Sequence, residues 1–165
     1  MTEQTSTDTT TTTTDEALEL RMSRHLPASP AEVFDAYTDA EKQKIWFSLL
    51  DETPGIVEIE VDLRVGGVQT AVWGPSPDQL FREVQTFLEI DRPHRLVTSS
   101  TGSTPDGMSM TTRIEISFVE DGDGTLMSVH QSGFPTPEIR DFFSTHAWVG
   151  ALDRIEAYLV GERAS

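Results

Sequence analysis

The chain has no cysteine at all, which excludes disulfides, thiolate zinc sites and cysteine nucleophiles. It has only two lysines, Lys42 and Lys44, and 12 basic residues stand against 28 acidic ones, for a net charge of −16. A surface this negative repels phosphate backbones and anionic lipids, so nucleic acid and membrane surfaces are poor partners. No run of about 18 apolar residues is present, which argues against a membrane-spanning helix. The N-terminus carries no basic-then-apolar leader pattern. The expectation is a cytoplasmic, acidic protein, and the 165 residues are enough for one core-bearing domain.

What is present divides into three stretches. Nine of the first fourteen residues are threonine, with nothing apolar to bury; residues 1–16 read as a disordered tail and 17–162 as a single domain. From Leu18 the pattern turns to strand, with Leu18, Leu20, Met22 and Leu26 on one face and Arg24 interrupting it. Ser29-Pro30-Ala31-Glu32 fits a capping box with proline in the first turn. A second start, Thr38-Asp39-Ala40-Glu41, follows at once, so two short helices are expected before Trp46 and Phe47.

The middle of the chain alternates like antiparallel strand. Val57, Ile59, Val61 and Leu63 share one face; Gly66-Gly67 turns into Val68–Trp73. A strand with Val84, Thr86, Leu88 and Ile90 inward ends at Asp91-Arg92-Pro93, and Arg95–Thr101 continues beyond it. Met110, Thr112, Ile114, Ile116 and Phe118 then line the inner face up to Asp121-Gly122-Asp123-Gly124, a hairpin signal, and Thr125–Gly133 is the last strand. Thr136-Pro137 opens a closing helix in which Phe142, Val149, Leu152, Ile155 and Leu159 face the sheet and Gly161 ends it. The class is α+β: about seven antiparallel strands curved around a long C-terminal helix, enclosing a cavity.

Seven stretches carry a family resemblance in their joint order: Ala28-Ser29-Pro30-Ala31-Glu32-Val33-Phe34; Thr38-Asp39 with Trp46; Asp62-Leu63-Arg64-Val65-Gly66-Gly67; Glu89-Ile90-Asp91-Arg92-Pro93-His94-Arg95-Leu96; Gly124-Thr125; Ser132-Gly133-Phe134; and Trp148 with Ala151-Leu152-Asp153-Arg154-Ile155. Over about residues 18–160 the chain resembles the START-related, polyketide-cyclase-like helix-grip superfamily, and within it the branch homologous to the activator of the heat-shock-protein-90 ATPase. That likeness implies the helix-grip fold. It transfers activity poorly, because such folds host many functions.

Three functions follow as expectations. The first is a domain that binds a hydrophobic small molecule in an internal cavity, in a stress or secondary-metabolism setting, without a cofactor. Its lining would be Trp73, Thr112, Ile114, Ile116, Phe118, His130, Phe142, His146 and Val149. The second is a cyclase- or dehydratase-type enzyme in the same cavity, with His130 and Arg24 as the candidates for proton transfer or enolate stabilisation. The third is a chaperone-ATPase-regulating interaction domain, and room is left for a protein partner or a homodimer. The four histidines show no metal-site spacing, and Gly66-Gly67 lacks the lysine of a phosphate loop. The acidic Asp121–Gly124 segment lacks the distal glutamate of a calcium loop, so both glycine-bearing motifs read as turns.

Overall fold

The computed structural model describes residues 9–14, 18–50 and 55–164. Strand β1 (Thr9–Thr14) precedes β2 (Glu19–Leu26), and helices α1 (Pro30–Thr38) and α2 (Ala40–Phe47) follow. Next come β3 (Ile56–Val61), β4 (Val68–Gly74), β5 (Phe81–Asp91), β6 (Arg95–Ser103), β7 (Ser109–Asp121) and β8 (Gly124–Ser132). The chain closes with α3 (Pro137–Phe142), a π-helical turn over Phe143–Ala147, and α4 (Trp148–Ala164). The fold is α+β, as the alternation implies: one curved antiparallel sheet in the order β1-β2-β8-β7-β6-β5-β4-β3 with the helices on one side.

Local chemistry explains the helix starts. Ser29 Oγ accepts from Glu32 N at 3.2 Å while Glu32 Oε1 accepts from Ser29 N at 3.0 Å, a complete capping box. Asp39 ends α1 and caps α2, accepting from Lys42 N at 3.1 Å. Trp46 Nε1 donates to Ala36 O at 2.7 Å and fixes the two helices to each other. Behind them Phe34 meets Phe118 edge-to-face at 5.3 Å, and Leu152 and Ile155 of α4 are fully buried. Gly67 has to be glycine, since a Cβ there would lie 2.2 Å from Asp62 O; the Gly66-Gly67 segment is a turn bonded to Phe87 of β5.

Four expectations are corrected. Thr9–Thr14, read as part of a disordered tail, forms β1 on the open edge of β2. Strand-prone threonine needs no core there, because the backbone ladder itself supplies the partners; the remainder of the expected tail lies outside the described residues. β5 faces the other way: Gln85 and Phe87 are buried and Leu88 is 43% exposed, and a bulge between Phe87 and Glu89 shifts the register beyond them. In the closing helix the π turn adds one residue, which rotates Phe142 away from the core to 55% exposure. Gly161 lies within α4 and does not end it.

Candidate functional site

The strand registers set a row of polar side chains across the concave face. Gln69 of β4 lies opposite Gln85 of β5, Gln85 opposite Ser100 of β6, and Ser100 opposite Thr112 of β7; all four are buried. Residues opposite one another in an antiparallel pair share a face, so the row is contiguous. Its members are held by specific bonds. Gln43 of α2 and Gln69 exchange amide bonds at 3.2 Å, Thr98 Oγ1 donates to Gln85 Oε1 at 2.8 Å, and Gln131 Nε2 donates to Thr112 Oγ1 at 2.8 Å. Trp148 Nε1 of α4 completes the set, donating to Gln131 Oε1 at 2.7 Å.

One carboxyl and one phenol stand beside this row. Glu83, one inward position along β5 from Gln85, accepts from Ser100 Oγ at 2.6 Å. Glu83 is half-buried. Burial raises its pKa above the usual carboxylate value, and the bonds from Ser100 and Gln85 only partly oppose that. Tyr37 of α1 stacks on Trp148 at 6.4 Å and 19°. Its phenol is pushed far above its ordinary range by burial and, secondarily, by the nearby charge of Glu83. The Tyr37 hydroxyl has no hydrogen-bond partner among the described residues, and it is not among the sealed polar atoms; it opens on accessible space.

There is room on this face. Gly102 of β6 is opposite Glu83, and a Cβ there would meet nothing closer than Arg82 O at 3.9 Å. Met110 of β7, opposite Gly102, is only half-buried. A side chain would therefore fit at Gly102 beside Glu83 with no more than an ordinary van der Waals contact.

The structure distributes the residues expected from sequence over several places. Thr112, Ile114, Ile116 and Phe118 do face inward, but only Thr112 belongs to the polar row; the other three are packed core. Trp73 sits at the end of β4, stacked on Phe81 at 5.9 Å and edge-on to Phe47 at 5.3 Å. Val149 is half-buried against the core. Phe142 and His146 are exposed and stack on each other at 5.4 Å, outside the interior.

His130 is a correction. The inward positions of β8 are Thr125, Met127, Val129 and Gln131, so His130 projects from the opposite, outer face. There its Nε2 pairs with Glu19 Oε1, and Glu115 lies opposite it on β7, bonded to Arg95 at 3.0 Å and Arg113 at 2.9 Å. Arg24 does turn inward, at 4% exposure, but it is engaged by α4: Nη1 lies 2.8 Å from Asp153 Oδ1 and 3.3 Å from Glu156 Oε1. The two candidates for proton transfer are thus on opposite faces of the sheet. The residues that sequence reasoning missed are Tyr37, Gln69, Gln85 and Gln131; for the strand residues the signal was the polar alternation in Glu83–Gln85 and Gln69, masked by the apolar one in Val84–Leu88.

Among the described residues, two surface clefts lie away from this row. One, of about 330 Å³, opens on the outer face among Arg21, Ser23, Arg95, Glu115, Ser128 and His130. The other, of about 420 Å³, lies where α1 meets α2, between Lys42 and the Arg92–Asp35 ion pair, and reaches Val61, which is opposite Gln69 at the β3 end of the polar row.

The family model described as "Activator of Hsp90 ATPase homolog 1-like protein" matches residues 27–160. Among solved structures, a protein from Mycobacterium smegmatis superposes with a TM-score of 0.70 at 18% identity, covering 93% of this chain and 98% of that one. A Rhodobacter sphaeroides protein reaches a TM-score of 0.74 at 20% identity over 95% and 98%. CalU16 from Micromonospora echinospora reaches 0.62 at 20% identity over 93% and 83%. At these identities the likeness is one of fold. No curated protein matches the chain.

Proposed function

The chain belongs to the Activator of Hsp90 ATPase homolog 1-like family, and from that premise we propose that it binds a hydrophobic small molecule between the concave face of its sheet and its closing helix. The observation that carries this reading is the buried polar row, which core packing alone does not call for, with room for a side chain at Gly102 beside Glu83. Burying polar groups is costlier than burying apolar ones of equal volume, even when they are bonded to one another. A ligand site gives such a row a use, since an apolar enclosure with a few fixed polar groups both holds and orients a small molecule. Half-buried Met110 of β7, opposite Gly102, and Trp148 of α4, stacked on Tyr37, supply apolar walls beside the row.

The test is thermal unfolding against a panel of lipophilic compounds. A ligand at one hundred times its dissociation constant stabilises the folded state by about 2.7 kcal/mol, a shift of several degrees. Gly102→Val, which puts a strand-compatible side chain beside Glu83 without a clash at Cβ, should retain the fold and lose the shift. A panel without any stabilising compound, or an unchanged shift in Gly102→Val, would count against the interior site.

A further inference from the structure

We infer that the ligand of this interior site is an uncharged apolar molecule bearing a hydroxyl group, which accepts a hydrogen bond from Tyr37 and donates one to Glu83. This inference rests on the interior-binding reading above and narrows it to a chemical class.

The argument starts from what the polar row leaves unspent. Gln43 with Gln69, Thr98 with Gln85, and Trp148 with Gln131 and Thr112 satisfy one another. Tyr37 is different. It is 9% exposed, its ring is fixed by the stack on Trp148, and its hydroxyl has no protein partner among the described residues although it opens on accessible space. A donor held in place on accessible space with no protein partner is free to meet an acceptor on a ligand.

Glu83 decides what kind of acceptor fits. It lies opposite Gly102, where no side chain covers it, and its hydrogen-bonding neighbours, Ser100 and Gln85, are neutral. A carboxylate or phosphate on the ligand would place a second negative charge in an enclosed site, on a protein already at −16, and is disfavoured twice over. An ammonium would pair with Glu83, but it has no lone pair to accept from the Tyr37 hydroxyl. A hydroxyl does both: it accepts from Tyr37 and donates to a carboxylate oxygen, and it equally accepts from Glu83 when that carboxyl is protonated. A hydrocarbon satisfies neither group.

Four probes sharing one ring system separate these cases: naphthol, naphthalene, naphthoate and naphthylmethylamine, titrated into the full-length protein by calorimetry. The expected order puts naphthol at least about tenfold tighter than naphthalene, with naphthoate weakest. In Tyr37→Phe the advantage of naphthol over naphthalene should collapse, while naphthalene binding persists. Equal binding of naphthol and naphthalene, or tighter binding of naphthoate or naphthylmethylamine, overturns the hydroxyl assignment but leaves interior binding standing. Failure of all four probes to bind overturns the interior reading and this inference with it. The probe order in the unaltered protein decides the matter even if Tyr37→Phe does not fold.

Discussion

Trp148 Nε1 donates to Gln131 Oε1 across 2.7 Å, and this bond ties the first turn of α4 to β8. Gln131 passes the connection on to Thr112 of β7, so one side chain satisfies two buried groups. Gln131→Leu would preserve volume and strand both partners. It should cost about 1–3 kcal/mol and lower the urea midpoint with little change in slope. An unchanged midpoint would show that water replaces the bond and that this part of the interior is wetter than the geometry implies.

Glu83 predicts a pH dependence whose sign follows from its environment. Its folded-state pKa is raised above 4.5, chiefly by burial. Below 4.5 both folded and unfolded chains hold the proton and the charge of Glu83 costs nothing. As pH rises from there through the folded-state pKa, the native state must take on a buried charge and loses stability relative to the unfolded chain. Glu83→Gln removes that loss, so the melting temperature of the variant should rise relative to wild type as pH increases. Parallel profiles for the two proteins would mean that Glu83 is well solvated.

Much of this architecture was legible in the sequence, because it is written in local patterns. Ser29 with Glu32 marks a helix start whatever lies around it, and Asp121–Gly124 turns a hairpin by backbone preference alone. The site was less legible. On β5, Val84, Thr86 and Leu88 present the more hydrophobic alternation, yet Glu83, Gln85 and Phe87 go inside. Pairing with β6, where Ser100 and Thr98 supply matching hydroxyls, overrides the strand's own polarity, and that pairing spans 13 to 17 residues of sequence separation. The π turn was equally invisible, since an inserted helical residue leaves no compositional trace.

The π turn makes a testable contrast between two phenylalanines that the sequence treats alike. Phe118 is fully buried against Phe34, whereas Phe142 is turned outward against His146. Phe118→Ala should cost about 3–5 kcal/mol, and Phe142→Ala about 0.5 kcal/mol or less, both by chemical denaturation. Comparable losses would place Phe142 back in the core and remove the register shift.

His130 offers a control on the position of the site. It lies on the outer face with Glu19 and Glu115, separated from the polar row by the thickness of the sheet. His130→Gln should therefore change the affinity for naphthol by no more than about twofold, in calorimetric titration. A tenfold or greater loss would move the binding site to the outer cleft that His130 lines.

Arg24 clamps β2 to the closing helix, and its removal should act through Glu156. The guanidinium is buried at 4% exposure, Glu156 is mostly covered at 17%, and Asp153 is half in solvent at 48%. Burial raises the pKa of Glu156, and Arg24 pulls it back down. In Arg24→Met the carboxylate loses that support, its folded-state pKa climbs further, and the penalty exists only where Glu156 is ionised. Truncating a buried charge costs up to about 3–5 kcal/mol, and the exposure of Asp153 reduces this to roughly 1–3 kcal/mol at neutral pH. Because a protonated Glu156 needs no counter-charge and both folded-state pKa values lie above 4.5, the gap between wild type and variant should narrow as pH falls from neutral toward 4.5. Urea midpoints at neutral and acid pH measure both quantities. A gap that stays constant with pH would show that Arg24 supports the helix through the packing of its methylene stem, with no contribution from the ion pair to Glu156.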